Sequence, residues 1–240
     1  MEEKLSGIVL GGVNYGENDK ILSVFTIDKG VVSARIKGVK KAGAKLKFAS
    51  EPFCFAEFVF SEKLGKRTVT GASLIDSFYP LREDIVRYYA GAVILEFDKR
   101  FLKEEIVSPD LFILSVESLK ELAYGKVHPV ITAANFLIEA LKYSGYALNF
   151  DGCSVCHENI TGKVFFDYRF GAFLCENCRK DSGREINLST YVALKNISEG
   201  VSPDIDDAIR GLKLLDYYLS VKCEENSASL KELIRMLKNR

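Results

Sequence analysis

The chain has 240 residues, 48% of them hydrophobic, with 33 Lys+Arg balanced by 33 Asp+Glu. That length allows one large domain or two to three small ones, and the apolar content is enough to build cores. No run of about eighteen apolar residues exists, which excludes a transmembrane helix. The acidic start Met-Glu-Glu-Lys-Leu-Ser lacks the apolar core of a signal peptide, so a reducing cytoplasm and no membrane association are expected.

The zero net charge hides an asymmetry. Residues 1–80 hold 12 Lys/Arg and 9 Asp/Glu, a net +3, and residues 81–240 hold 21 and 24, a net −3. Arg35 to Lys47 contains six basic residues and no acidic one. A local basic concentration on a neutral chain points to a polyanion-facing site rather than a generally sticky surface.

Residues 4–78 read as an all-β module. Leu5 to Leu10 is a first strand, which Gly11-Gly12 would bulge or end, and Asn14 to Asp19 is a turn by composition. Lys20 to Ile27 is a second strand, and Asp28-Lys29-Gly30 turns into a third, Val31 to Lys37. In the third, Ser33, Arg35 and Lys37 alternate with Val32, Ala34 and Ile36, so two cations share one face. Gly38 to Lys47 is a Gly/Ala/Lys loop with almost no apolar content. After Pro52, Phe53 to Phe60 is an aromatic strand, Ser61 to Gly65 turns, and Lys66 to Phe78 returns. This pattern suits a five-stranded barrel such as an OB-fold, and an SH3-like barrel fits it almost as well.

Beyond Tyr79-Pro80 the period changes to that of a helix. Leu81 to about Glu105 is the first helix. A second starts at Ser108-Pro109-Asp110, with Ser108 as N-cap, and stops at Gly125. A third runs from Pro129 to Ser144. After the cysteine stretch come a short helix from Leu188 to Glu199, a long one from Ser202-Pro203-Asp204 to about Lys222, and a last from Ser227 to Leu237.

The stretch between the third and fourth helices carries two CxxC pairs, Cys153/Cys156 and Cys175/Cys178, eighteen residues apart. The spacing falls in the range of a four-cysteine zinc ribbon. Two residues between cysteines let one turn aim both sulfurs at one point, and a second turn completes a closed, structural tetrahedral site. Val164-Phe165-Phe166 and Ala172-Phe173-Leu174 flank Asp167 to Gly171 as a hairpin that brings the pairs together. Two disulfides require an oxidising compartment, a redox CxxC a thioredoxin-like setting, and an iron–sulfur cluster is less suited to paired knuckles. His157, directly after Cys156, reads as solvent-exposed rather than as a ligand. Cys54 and Cys223 read as buried or half-buried free thiols.

The basic segment is the leading candidate binding site. Arg35, Lys37, Lys40, Lys41, Lys45 and Lys47 would neutralise phosphates and release counterions, and Lys63, Lys66 and Arg67 extend the patch from a second hairpin. A solvated loop, basic by composition alone, is the competing reading. Tyr15 and Phe48 are candidate stacking platforms for bases, while Phe53, Phe55, Phe58 and Phe60 belong to the core. The chain holds two histidines, neither in a nucleophile or hydrolase motif, and no GxSxG, P-loop or GxGxxG, so no enzyme is expected. Asp204, Asp206 and Asp207 fit a helix dipole, and Glu104-Glu105 and Glu224-Glu225 fit solvated helix ends.

The order of these motifs resembles the RecO family of bacterial recombination mediators. Gly7 to Leu10, Tyr15-Gly16-Glu17-Asn18-Asp19, Phe25-Thr26, Gly30 and Lys37-Gly38-Val39-Lys40-Lys41 look like that family's N-terminal signature. Leu137 to Gly145 followed by the four cysteines looks like its central helix and zinc module. Ala42-Gly43-Ala44 departs from it, standing where Arg and Ser would be usual. The resemblance implies an α+β multidomain chain: an OB-fold at 1–79, a helical domain at 80–150 and 186–240, and an inserted four-cysteine ribbon at 151–185 with one structural Zn2+. It implies binding of single- and double-stranded DNA, annealing, and displacement of single-stranded-DNA-binding protein so that RecA can load, in complex with RecR and with RecF as an indirect partner, near the nucleoid. Two other classes fit the residues. One is a scaffold gripping a protein tail through Tyr88, Tyr89, Phe97, Phe101, Phe112 and Tyr143. The other is a zinc-ribbon RNA-binding or transcription accessory factor.

Overall fold

The computed structural model describes residues 2–102, 106–179, 183–223 and 226–238. Glu104-Glu105 and Glu224-Glu225, expected at helix ends, lie outside the described residues. Strands β1 (Glu2–Tyr15), β2 (Asp19–Thr26), β3 (Gly30–Ile36), β4 (Phe55–Lys63) and β5 (Lys66–Asp76) close into a barrel in the order β1-β2-β3-β5-β4. With β1 paired to both β2 and β4, and β3 parallel to β5, this is an OB-fold. Its interior is filled by Val9, Leu22, Val24, Val32, Ile36, Phe58 and Phe60, none more than 1% exposed.

Of the two outcomes expected at Gly11-Gly12 the bulge is observed, and the chain does not end its first strand there. It bulges between Val9 and Gly11 and continues to Tyr15, because residues 11–15 pair with 19–23 and leave only Gly16 to Asn18 for the turn. Nor is the segment after β3 a bare loop. It winds through successive turns, in which Lys41, Ala44 and Lys47 donate their N–H groups to the carbonyls three residues back. Val39 is 2% exposed in the barrel core and Leu46 and Phe48 pack against it, so three apolar side chains pin the segment down. Phe48 is therefore barrel packing rather than an open stacking platform.

The six described α-helices are α1 (Ile85–Phe101), α2 (Pro109–Tyr124), α3 (Pro129–Tyr143), α4 (Leu188–Ser198), α5 (Ile205–Cys223) and α6 (Ala228–Lys238). Asp84 caps α1, its Oδ1 accepting from the N–H groups of Val86 and Arg87 at 2.8 and 3.0 Å. His128 caps α3 by accepting the Val130 N–H on Nδ1. Asp204 caps α5, accepting from Asp206 and Asp207. Each cap satisfies donors that the helix itself cannot.

The chain divides into two compact units, one of residues 1–83 and 94–123, the other of residues 84–93 and 124–240. This partition differs from a boundary at Tyr79. The second half of α1 and all but the last residue of α2 belong with the barrel, because Phe112 packs edge-on against Phe25 and Phe55, at 5.2 and 6.0 Å between ring centroids. In the same unit the chain passes directly over Gly30, whose φ is 63° and where a Cβ would lie 2.1 Å from the Ile106 carbonyl oxygen.

In the second unit α3, α4 and α5 pack on one another and α6 packs on α5. Strands β6 (Val164–Asp167), β7 (Ala172–Cys175) and β8 (Arg184–Ile186) form a small sheet in the order β7-β6-β8. Strand β8, which pattern alone does not reveal in a three-residue segment, covers the free edge of β6. The hairpin does not stand apart from the helices. Phe166 meets Tyr218 of α5 edge-on at 5.6 Å, and Phe173 meets Tyr191 of α4 at 4.9 Å. Gly171 has a φ of 64°, and a Cβ there would lie 2.4 Å from the Tyr218 hydroxyl. Among the described residues no helix is long and apolar enough to cross a membrane.

Candidate nucleic-acid interface and metal centre

Alternation along β3 buries Val32, Ala34 and Ile36 and leaves Ser33, Arg35 and, just past its end, Lys37 exposed. Because β3 runs parallel to β5, with Ala34 opposite Arg67 and Arg35 opposite Thr68, the β4–β5 hairpin lies beside these cations. The result is a groove of about 600 Å³ whose walls include Tyr15, Arg35, Lys37, Lys63, Lys66 and Arg67. Two elements distant in sequence, the end of β3 and the β4–β5 hairpin, thus share one cationic surface.

The cations are not equivalent. Arg35 donates from Nε to Asp19 Oδ2 at 2.7 Å and lies over the Tyr15 ring at 4.9 Å, so it is held as part of the wall. Asp19 also accepts the Gly38 N–H at 2.7 Å. That backbone bond, followed by the Arg35 bond, lowers the Asp19 pKa below its usual value. One carboxylate thereby ties the start of β2 to the end of β3 and the turn after it. Arg67 faces Glu62 at 3.4 Å. Among the described residues Lys37, Lys63 and Lys66 make no ion pair; the Lys37 charge helps to lower the Asp19 pKa, and Lys63 and Lys66 carry the least compensated charge of the groove.

Lys40, Lys41, Lys45 and Lys47 are exposed on the turns after β3 but do not line that groove. The Lys40 N–H donates to the Asn18 carbonyl at 3.0 Å, which fixes the beginning of their segment against the β1–β2 turn. Tyr15 is 48% exposed and presents its ring within the groove. Of the aromatics named for a protein-gripping surface, Phe97 and Phe112 are 4% exposed and are core, while Tyr88 and Tyr143 are open. Leu64, at the tip of the β4–β5 hairpin, went unnoticed in the sequence. Its signal was a Leu-Gly turn set between two lysines.

The four cysteines converge as their spacing anticipates. The Sγ atoms of Cys153, Cys156, Cys175 and Cys178 all lie within 4.8 Å of one another, and Cys156 and Cys175 are 3.8 Å apart. A regular tetrahedron of thiolates about 2.3 Å from a central zinc has sulfurs about 3.8 Å apart. The first knuckle is built by backbone: the Cys153 carbonyl accepts the His157 N–H at 2.8 Å, and the Cys153 N–H donates to the Glu158 carbonyl at 2.9 Å. That closure needs the left-handed region, and His157 occupies it at φ 61° with its side chain exposed and outside the sulfur cluster. Burial acts to raise the Cys153 thiol, but the N–H groups of Cys156, Cys175 and Val155 outweigh it and bring the pKa down to about 6. The neighbouring sulfurs push Cys178 up to about 12. Four thiolates so close can all be ionised only around a cation, so the donor set fits a metal ion. Cys54, by contrast, is a core thiol that burial raises to about 11.

Comparison with known proteins covers nearly all of the chain. Residues 1–78 match the family model described as Recombination protein O N terminal, and residues 82–231 match the one described as Recombination protein O C terminal. A DNA repair protein RecO of Caldicellulosiruptor bescii is 31% identical over 191 residues, 80% of this chain and 78% of that one. One from Clostridium novyi is 28% identical over 244 residues, 98% and 94% of the two chains. One from Acetivibrio thermocellus is 26% identical over 236 residues, 95% and 94% of the two.

Proposed function

The chain belongs to the Recombination protein O family, whose members carry the name of DNA repair proteins, and from that premise we propose that it is a non-enzymatic DNA-binding mediator of recombinational repair. Its working surface is the cationic groove of the barrel together with the lysines of the following turns. The observation that carries this reading is the convergence of Lys37 with Lys63 and Lys66 on one groove.

The physics is charge neutralisation. A strand lying along the groove exchanges condensed counterions for Lys37, Lys63 and Lys66, with Arg35 and Arg67 held in the wall, while Lys40, Lys41, Lys45 and Lys47 extend the positive field beyond it. Lowering the charge of one strand lowers its repulsion for a second, which assists annealing without any covalent step or nucleotide hydrolysis. The four-cysteine site takes one Zn2+, which fits a closed set of four sulfurs better than harder ions do. It is structural, holding β6 and β7 in place against α4 and α5. Binding of both single- and double-stranded DNA, displacement of single-stranded-DNA-binding protein, partnership with RecR, an indirect link to RecF and RecA, and a cytoplasmic site of action rest on family likeness.

The test is DNA affinity as a function of salt. Reversing Lys37, Lys40 and Lys41 to Glu is expected to weaken binding several-fold at moderate salt. It should also flatten the slope of log K against log salt, each lost phosphate contact on a single strand reducing it by about 0.7. A triple variant that binds as tightly as wild type at moderate salt removes this surface from the reading.

A further inference from the structure

The β4–β5 hairpin ends in the two-residue turn Leu64-Gly65, between the paired residues Lys63 and Lys66. Both turn residues have positive φ, 52° at Leu64 and 70° at Gly65. Such a turn favours Asn or Asp before Gly, because a branched apolar side chain gains nothing in the left-handed region and is crowded there. Burial does not explain the leucine either, since Leu64 is 92% exposed, the most open of the large hydrophobic side chains among the described residues. An apolar side chain held in a strained, solvent-exposed conformation is a mark of function rather than folding.

Its surroundings identify the chemistry of what it meets. Leu64 lines the cationic groove together with Tyr15, and is flanked by Lys63 and Lys66. On its other side it borders a recess where Glu3 pairs with Lys29 and Glu62 with Arg67, so the unpaired lysine charge beside Leu64 lies on the groove side. Lysines on both flanks suit phosphates, and an apolar tip between them suits the faces of bases. We infer that Leu64 is a base-contacting wedge, pressing its side chain against or between the nucleobases of a single DNA strand whose phosphates lie on Lys63 and Lys66. Apolar side chains do this where a strand must be held unstacked. The inference rests on the groove being the DNA-binding surface. It adds that the groove reads the presence of bases, and not only charge.

Leu64→Asn separates this role from folding, because Asn-Gly is the favoured sequence for the turn and the thermal midpoint should stay equal or rise. Binding of oligo-dT would be compared with that of an oligonucleotide of equal length carrying abasic sites, across a salt series. Wild type is expected to prefer oligo-dT by about fivefold or more, in keeping with the contribution of base contacts to single-strand binding. L64N should lose that preference while the salt slope stays unchanged, since no phosphate contact is removed. Lys66→Gln should weaken both oligonucleotides alike and flatten the slope. The inference is overturned if L64N keeps the wild-type preference, or if wild type shows none. It is also overturned if L64N loses a protein partner with its DNA discrimination intact, which would make the tip a protein contact. Failure of wild type to bind either oligonucleotide at low salt would instead sink the DNA-binding reading itself, and this inference with it.

Discussion

Asp98, on the face of α1 that packs in the barrel unit, is fully buried, and its Oδ1 has no partner among the described residues. Ser115 Oγ lies 2.8 Å from both Asp98 Oδ2 and the Leu111 carbonyl, and a hydroxyl has one proton to give. A protonated Asp98 resolves the shortage by donating to Ser115, which then donates to Leu111. Burial accordingly raises the Asp98 pKa well above its ordinary 3.8, with the Ser115 bond acting the other way. The sign for stability follows by linkage. Above pH 3.8 the unfolded chain gives up this proton while the folded chain retains it, so the group erodes stability as pH rises toward its folded value. Asp98→Asn removes that titration, and its stability relative to wild type should grow between about pH 4 and pH 7 in urea melts. A constant difference across that range would mean that Asp98 is ionised when buried. The barrel cations, in contrast, needed no structure to be noticed as a group, because a six-fold basic run without one acid is visible by reading.

At the scale of elements, alternation and turn chemistry located all five barrel strands to within a few residues, since a barrel strand buries every second side chain. They do not reveal the packing of the segment after β3, which reads as a loop with almost no apolar content, because only the folded barrel shows what Val39 and Leu46 pack against. The cysteine hairpin was legible for a different reason: ligand spacing is dictated by coordination geometry. What spacing does not reveal is its packing, with Phe166 and Phe173 set against Tyr218 and Tyr191. On the proposal that the four cysteines hold Zn2+, chelation under reducing conditions is expected to release amide protection across residues 164–175 in hydrogen exchange. The strands of the barrel should stay protected and DNA affinity should be unchanged. Protein purified under reducing conditions with no metal by elemental analysis would contradict a metal-built hairpin.

At the scale of the molecule, the compact units do not follow the order of the chain. Residues 94–123 belong with the barrel, and Phe112 covers Phe25, which is fully buried. Phe112→Ala should cost about 3–5 kcal/mol in urea unfolding of the barrel, the usual loss for a buried phenylalanine. A fragment of residues 1–83 should be less stable than one of residues 1–123, by thermal melting, and a fragment of equal stability would show the barrel to be self-sufficient. The amino-acid sequence alone determined the barrel-then-helix organisation, the four-cysteine site and the basic character of residues 35–47, because periodicity, ligand spacing and charge runs are local properties. Only the tertiary structure decided which cations line one groove and which helices pack with the barrel. Parallel pairing of β3 with β5 brings Arg35 and Lys37 to the same groove as Lys63 and Lys66, and aromatic contacts draw α2 to β2 and β4. Both depend on strand order and on side chains that lie far apart in the chain, which no local pattern records.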